Sequence, residues 1–157
     1  MTRPTREATR PSTRPDVSSV AEHRAAAAAN ANVALKLGGI PASNDANAWV
    51  PTILFYAGVQ LVQATLAPLG CGGDHGGRLV ALRGPGLGQA AEYYKQLQTI
   101  SSDWRYKALR PSDADLQDAW AYATELARAI GEVWPGPLPP PQPVPGPAGT
   151  EPQETGI

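Results

Sequence analysis

Between Asp45 and Asp74 the chain carries no charged side chain for 28 residues, and most of that run reads AWVPTILFYAGVQLVQATLAPL. A stretch of this kind either crosses a bilayer or becomes the element that the rest of a water-soluble domain wraps. Gln60 and Gln63 near its middle, Pro51 and Pro68 near its ends, and the lack of flanking Lys or Arg all oppose a membrane span. The run is therefore expected to be a buried central helix in a protein that does not enter the membrane. Everything else in the fold follows from what can cover it.

The flanking segments have the right pattern. Asp16 can cap a helix through DVSSVAEHRAAAAANANVALKL that Gly38 and Gly39 stop. Its alanines allow close approach of a neighbour but bury little area each, so this helix depends on partners. His23, in the polar AEHR step, reads as a solvated surface histidine. The central helix begins around Ser43 to Asp45 with Trp49, Ile53, Tyr56, Ala57 and Ala64 at helical spacing, and Leu54, Leu61, Val62 and Leu66 on adjoining faces. Asp74 can cap a short helix with Leu79, Val80 and Leu82, ended by Gly84, Pro85 and Gly86. A fourth helix over about Gly88 to Ala108 places Tyr93, Leu97, Ile100 and Trp104 in one apolar stripe. After Pro111, Ser112 caps a fifth, with Leu116, Trp120, Ala123, Leu126 and Ile130 inward. No period-two alternation and no internal repeat occurs, so the expected fold is all-α, an antiparallel bundle of about five helices.

Both ends differ from this middle. Residues 1–15 hold Arg3, Arg6, Arg10 and Arg14 against Glu7, broken by proline, and are expected to be a flexible basic arm. Residues 134–157 hold nine of the 17 prolines and are expected to be an extended, disordered tail beyond a helical domain over 16–133. That domain has 9 basic and 11 acidic residues, a net charge of −2, so its overall charge gives no sign of nucleic-acid binding. A lone cysteine, Cys71, excludes an internal disulfide and a thiolate cluster. The arm lacks both the apolar core of a secretory signal and the amphipathic spacing of a transit peptide, and a cytoplasmic location is expected. Two histidines and scattered carboxylates support no metal site, and no cofactor is expected, since the phosphate-binding and dinucleotide fingerprints are missing.

Two places can carry chemistry. In GCGGDHGGRLVALR, His75 and Arg78 lie three residues apart on the opening turn of the short helix and project from one face. Histidine can relay protons and a guanidinium can grip phosphate, so the pair can act on a phosphodiester; equally, the turn can be structural, with Arg78 paired to Asp74. Later, Arg105, Tyr106 and Lys107 follow Trp104, and cations interleaved with aromatics can neutralise phosphates and stack on bases. Trp104 itself reads as core.

In order, AWVPTILFYAGVQLVQATLA, DHGGR and SSDWRYKALRPSDADLQDAWAYATELARAI resemble the HEPN superfamily of small helical bundles. The match covers about residues 45 to 130. DHGGR is similar to the family's Ser-His-x-Gly or Ser-His-x-x-Arg turn, and SSDWRY to its arginine-containing tyrosine motif. The resemblance implies a homodimer with RNA- or nucleotide-related roles in toxin-antitoxin, defence or RNA-processing systems, and a protein partner such as an antitoxin or a nucleotidyltransferase-like chain. Catalytic members use an arginine followed four to six residues on by a histidine and cut RNA without metal. Here neither His23 nor His75 has an arginine at that upstream distance, and no histidine follows Arg105. A binding module without the nuclease motif is thus expected, with a metal-independent endoribonuclease using His75 and an arginine, or an adaptor acting through the proline-rich tail, as alternatives.

Overall fold

In the computed structural model, residues 17–39, 45–71, 73–84, 86–107 and 109–135 are described, with the side chains of residues 17–19 left out. The expected arm and nearly all of the expected proline-rich tail lie outside these residues. The described chain forms an all-α bundle of five helices: α1 (Val17–Gly38), α2 (Val50–Leu66), α3 (His75–Leu82), α4 (Gly88–Lys107) and α5 (Asp113–Ala129). Short 3-10 turns over Asp45–Trp49 and Ala67–Leu69 extend α2 at both ends.

α2 is the central element, as its uncharged sequence requires. Twelve of its 17 residues are buried, and α1, α3, α4 and α5 all pack against it. The apolar run 45–69 is long enough to cross a bilayer, but 67% of its most apolar window is covered by other elements of the bundle. Leu54, Phe55, Leu61, Val62 and Leu66 are almost fully enclosed. Gly58 sits where a Cβ would meet Leu126 Cδ2 at 2.9 Å and Leu97 Cδ1 at 3.5 Å, so the missing side chain is what lets α2 approach α4 and α5 this closely.

The inward face of α2 differs from the expected stripe. Ala57 and Ala64 are buried, but Trp49 is 46% and Tyr56 38% exposed. A helix covered on several sides has apolar residues all round, so periodicity alone does not pick its outer edge. The α4 stripe is also displaced. Ala90, Ala91, Tyr94, Leu97 and Ser101 are buried, whereas Tyr93, Ile100 and Trp104 are only half-buried. Tyr93 instead meets Tyr122 with ring centroids 6.3 Å apart, and Trp104 lies edge-on to Trp49 at 6.1 Å.

The helix ends follow local chemistry. Ser112 and Asp115 form a reciprocal capping box at α5, with the Asp115 amide 3.2 Å from Ser112 Oγ and the Ser112 amide 2.8 Å from Asp115 Oδ2. Asp74 caps α3, its Oδ1 accepting from the Gly77 amide at 2.8 Å. Gly70 at φ +64° and Gly73 at φ +115° make the reversal from α2 into this cap, and the second value is hardly open to a residue with a side chain. The packed chain also runs past residue 133. Glu132 binds Arg24 of α1 through an ion pair of 2.6 Å, and Trp134 lies edge-on to Trp120 at 6.2 Å, so Trp134 belongs to the bundle and not to the tail.

Candidate functional site

Along α2, Tyr56, Gln60 and Gln63 follow one another at steps of four and three residues, which places them on a single face. Each is neutral, and each binds a basic side chain from a different helix. Tyr56 OH accepts from Arg105 Nη1 of α4 at 3.3 Å. Gln60 Oε1 is 2.7 Å from His23 Nδ1 of α1. Gln63 Oε1 accepts from Arg78 Nε of α3 at 3.0 Å. From Tyr56 to Gln63 the helix rises about 10 Å. The two glutamines that argued against a membrane span are thus the anchors of a polar edge.

His23 is corrected by this arrangement. It is half-buried and bonded across the α1–α2 interface, not a solvated surface histidine. This bond ties the partly buried Gln60 to α1.

His75 stands at the centre of the α3 end of this edge. Its ring packs on Phe55, with centroids 5.2 Å apart, and Nδ1 is 3.0 Å from the buried Tyr94 hydroxyl of α4. Arg78 Nη1 lies 3.5 Å from the same nitrogen. Burial, then the positive charges of Arg78 and Arg105, hold the His75 pKa below its ordinary 6.5, and the weaker opposing influence is Asp74. His75 is therefore a neutral imidazole at pH 7. Burial likewise raises the Tyr94 hydroxyl above its ordinary value of 10, with Arg78 acting in the lowering direction.

The pairing of Arg78 with Asp74 that the sequence allowed does not form. The Asp74 side chain is committed to the Gly77 amide, and Arg78 turns to Gln63 and His75 instead. Among the described residues Arg78 has no carboxylate partner, and neither has Arg105, which binds the Ser101 carbonyl at 3.2 Å and Tyr56. Two guanidinium groups held by neutral acceptors keep their full charge for something else.

The second candidate group divides. Arg105 joins the His75 edge through Tyr56, whose ring neighbours Phe55, and it lies 5.8 Å from the Tyr56 ring centroid and 5.0 Å from that of Tyr106. Tyr106 is 78% exposed, a ring without cover. Lys107 is different, because its ammonium is paired with Asp103 one turn back at 2.6 Å and contributes little uncompensated charge. Trp104 is half-buried on Trp49, not a free platform. Among the described residues no group of three or more His, Cys, Asp or Glu side chains could hold a metal ion.

The structure thus gathers His75, Arg78 and Arg105 with Tyr56, Gln63 and Tyr94, three residues that sequence reasoning did not assign to a site. The missing signal was geometric, because these residues come from α2 and α4 and meet α3 only after folding. Compared with known proteins, the chain matches no family model, no curated protein and no solved structure.

Proposed function

We propose that this chain is a HEPN-like binding module that holds the phosphates of single-stranded RNA along the outer edge of α2, without cutting it. The observation that carries the reading is the pair of arginines, Arg78 and Arg105, with no carboxylate partner among the described residues and near enough to the same imidazole to depress its pKa. Uncompensated guanidinium charge on a domain of net −2 is a local feature with a local use, and phosphate is the ligand whose geometry a guanidinium matches best. Tyr106, exposed beside Arg105, supplies a ring on which a base can stack.

Binding without cleavage follows from the state of the histidine. A general base at neutral pH needs a pKa near 7 and an exposed lone pair. His75 has its pKa held lower, its Nδ1 faces the buried Tyr94 hydroxyl, and the neighbouring Asp74 carboxylate is engaged by the Gly77 amide. The module is read as acting in the cytoplasm as a homodimer within an RNA-related, toxin-antitoxin or defence system.

Fluorescence anisotropy of a labelled single-stranded RNA with the full chain tests the reading. Arg78→Gln and Arg105→Gln are each expected to weaken binding about tenfold to a hundredfold, the effect of one charge-assisted hydrogen bond. The RNA is expected to remain intact after long incubation in chelator. Equal affinity in both variants removes the binding site from this edge, and cleavage that His75→Ala abolishes replaces the binding module with the metal-independent endoribonuclease.

A further inference from the structure

His75 is surrounded from three helices. On its own helix α3 stand Asp74, with its carboxylate on the Gly77 amide, and Arg78. From α4 come the Tyr94 hydroxyl and the charge of Arg105. From α2, Phe55 covers the ring and Gln63 fixes Arg78 by its Nε.

A neutral imidazole has one N–H and one lone pair, and the neighbours of each nitrogen decide which is which. Nδ1 faces Tyr94 OH at 3.0 Å and Arg78 Nη1 at 3.5 Å. The guanidinium can only donate. The phenol keeps its proton, since burial raises its pKa, so its O–H can donate toward the imidazole. A proton on Nδ1 would face a guanidinium that offers no lone pair. The lone pair therefore belongs on Nδ1 and the proton on Nε2.

The same accounting covers the rest of the edge. Gln63 Oε1 accepts from Arg78, which leaves the Gln63 amide hydrogens free, and the Tyr56 oxygen accepts from Arg105, which leaves its hydroxyl proton free. Each of these neutral acceptors thus meets a guanidinium, and the Asp74 carboxylate, bonded to the Gly77 amide, stands beside His75 as an anionic acceptor.

We infer that Tyr94 and Arg78 lock His75 in the Nε2–H tautomer, so that the imidazole adds a donor to the Arg78 guanidinium and favours a tetrahedral oxyanion carrying no proton, such as a phosphodiester, the dianion of a phosphate monoester or sulfate. The ligand half of this inference rests on the anion-binding reading above; the tautomer does not. Tyr94 is a positioning residue: it sets which nitrogen of His75 carries the hydrogen without touching the ligand. An oxyanion with an O–H of its own would find no lone pair on the outer nitrogen of this tautomer and would turn that hydrogen against a donor.

The tautomer is read by long-range proton–nitrogen NMR on the full chain labelled with nitrogen-15 in histidine, the His75 ring being assigned by its loss in His75→Asn. At pH 7.5 without ligand, wild type is expected to show a protonated Nε2 and an unprotonated Nδ1. Tyr94→Phe, which keeps the buried ring and removes only the hydroxyl, is expected to shift the ring toward a mixture of tautomers while circular dichroism stays unchanged. A protonated Nδ1 in wild type, or a ring unaffected by Tyr94→Phe, overturns the lock. Titrations with sulfate and with inorganic phosphate between pH 6.5 and 8 then read the ligand. Sulfate affinity is expected to be flat and, at pH 8 where both ions are mainly dianions, to exceed several-fold that of phosphate, which still carries an O–H; Tyr94→Phe is expected to weaken sulfate roughly twofold to tenfold. Equal affinities at pH 8, or tightening of both ions toward pH 6.5, overturn the donor imidazole, the second because it shows a proton taken up at the site. An Nε2–H ring that binds neither ion overturns the oxyanion and, with it, the anion-binding reading, while leaving the lock in place.

Discussion

Phe55 joins the bundle's stability to the geometry of the edge, and replacing it separates the two. Its ring is fully buried at the centre of α2 and meets Tyr94 at 5.5 Å, His75 at 5.2 Å and Tyr56 at 5.8 Å between ring centroids. Phe55→Ala removes the buried ring and leaves a cavity between helices that cannot fully collapse, at a cost of about 3–5 kcal/mol. Against a total stability of roughly 5–15 kcal/mol this is a large share, and it corresponds to a fall in Tm of roughly 10–20 °C. Phe55→Leu keeps most of the apolar volume and loses the ring contacts with His75 and Tyr94, so about 1–2 kcal/mol is expected. Urea denaturation followed by circular dichroism measures both, with an unchanged slope showing that the same surface unfolds. A loss below about 1 kcal/mol for Phe55→Ala would refute the placement of this ring at the core, since even the transfer of a buried phenylalanine to water exceeds that.

Further outcomes follow from individual residues. Ser112→Ala removes the side-chain half of the α5 capping box and is expected to cost about 1 kcal/mol in denaturant titration. Hydrogen bonds from the Ser112 side chain and backbone hold the Asp115 carboxyl below its ordinary 3.8, so the stability they confer is present above that pH and disappears as acid protonates the folded form; acid titration of Ser112→Ala should show a smaller loss. His75 acts in the same direction at higher pH. Its folded pKa lies below the unfolded 6.5, so its contribution is complete above 6.5 and falls as pH drops toward the folded value, where the unfolded chain binds a proton that the folded chain refuses; His75→Gln should flatten stability across that window. Trp134→Ala is expected to cost about 1–2 kcal/mol through the lost edge-on pair with Trp120, measured by denaturant titration.

Much of the backbone was legible because its punctuation is local. Asp74, Ser112 and the Gly38–Gly39 pair act on their own few residues, and the helix ends fall where these residues place them. The long uncharged run identified the central helix for a different reason, since charge cannot be enclosed cheaply on every side. Faces were harder to read. At 93, 97, 100 and 104 the large apolar side chains repeat as well as Ala90, Tyr94, Leu97 and Ser101 do, and small residues carry little hydrophobic signal although they sit where helices come closest. The same ambiguity reversed the roles of Tyr93 and Tyr94, and Tyr94 is the one that meets His75.

For the candidate site, the turn supplied His75 and Arg78, and the later motif supplied Arg105. Their partners were hidden because Gln63 and Gln60 read only as interruptions in an apolar helix, whereas folding makes them the acceptors that fix Arg78 and His23. Lys107 differs from the two arginines for a local reason: its i−4 neighbour is Asp103, with which it forms an ion pair. Trp134 was assigned to the tail by the prolines that follow it, although its indole completes the end of the bundle.

The central claim is that Arg78 and Arg105 hold phosphate, and the salt dependence of RNA affinity tests it most directly. Each phosphate contact on a single strand contributes about 0.7 to the slope of log affinity against log salt. In the doubly substituted Arg78→Gln, Arg105→Gln chain the slope is predicted to become shallower by about 1.4, with the four arginines of residues 1–15 left in place. An unchanged slope with binding intact would contradict the account and move the phosphate contacts away from α2.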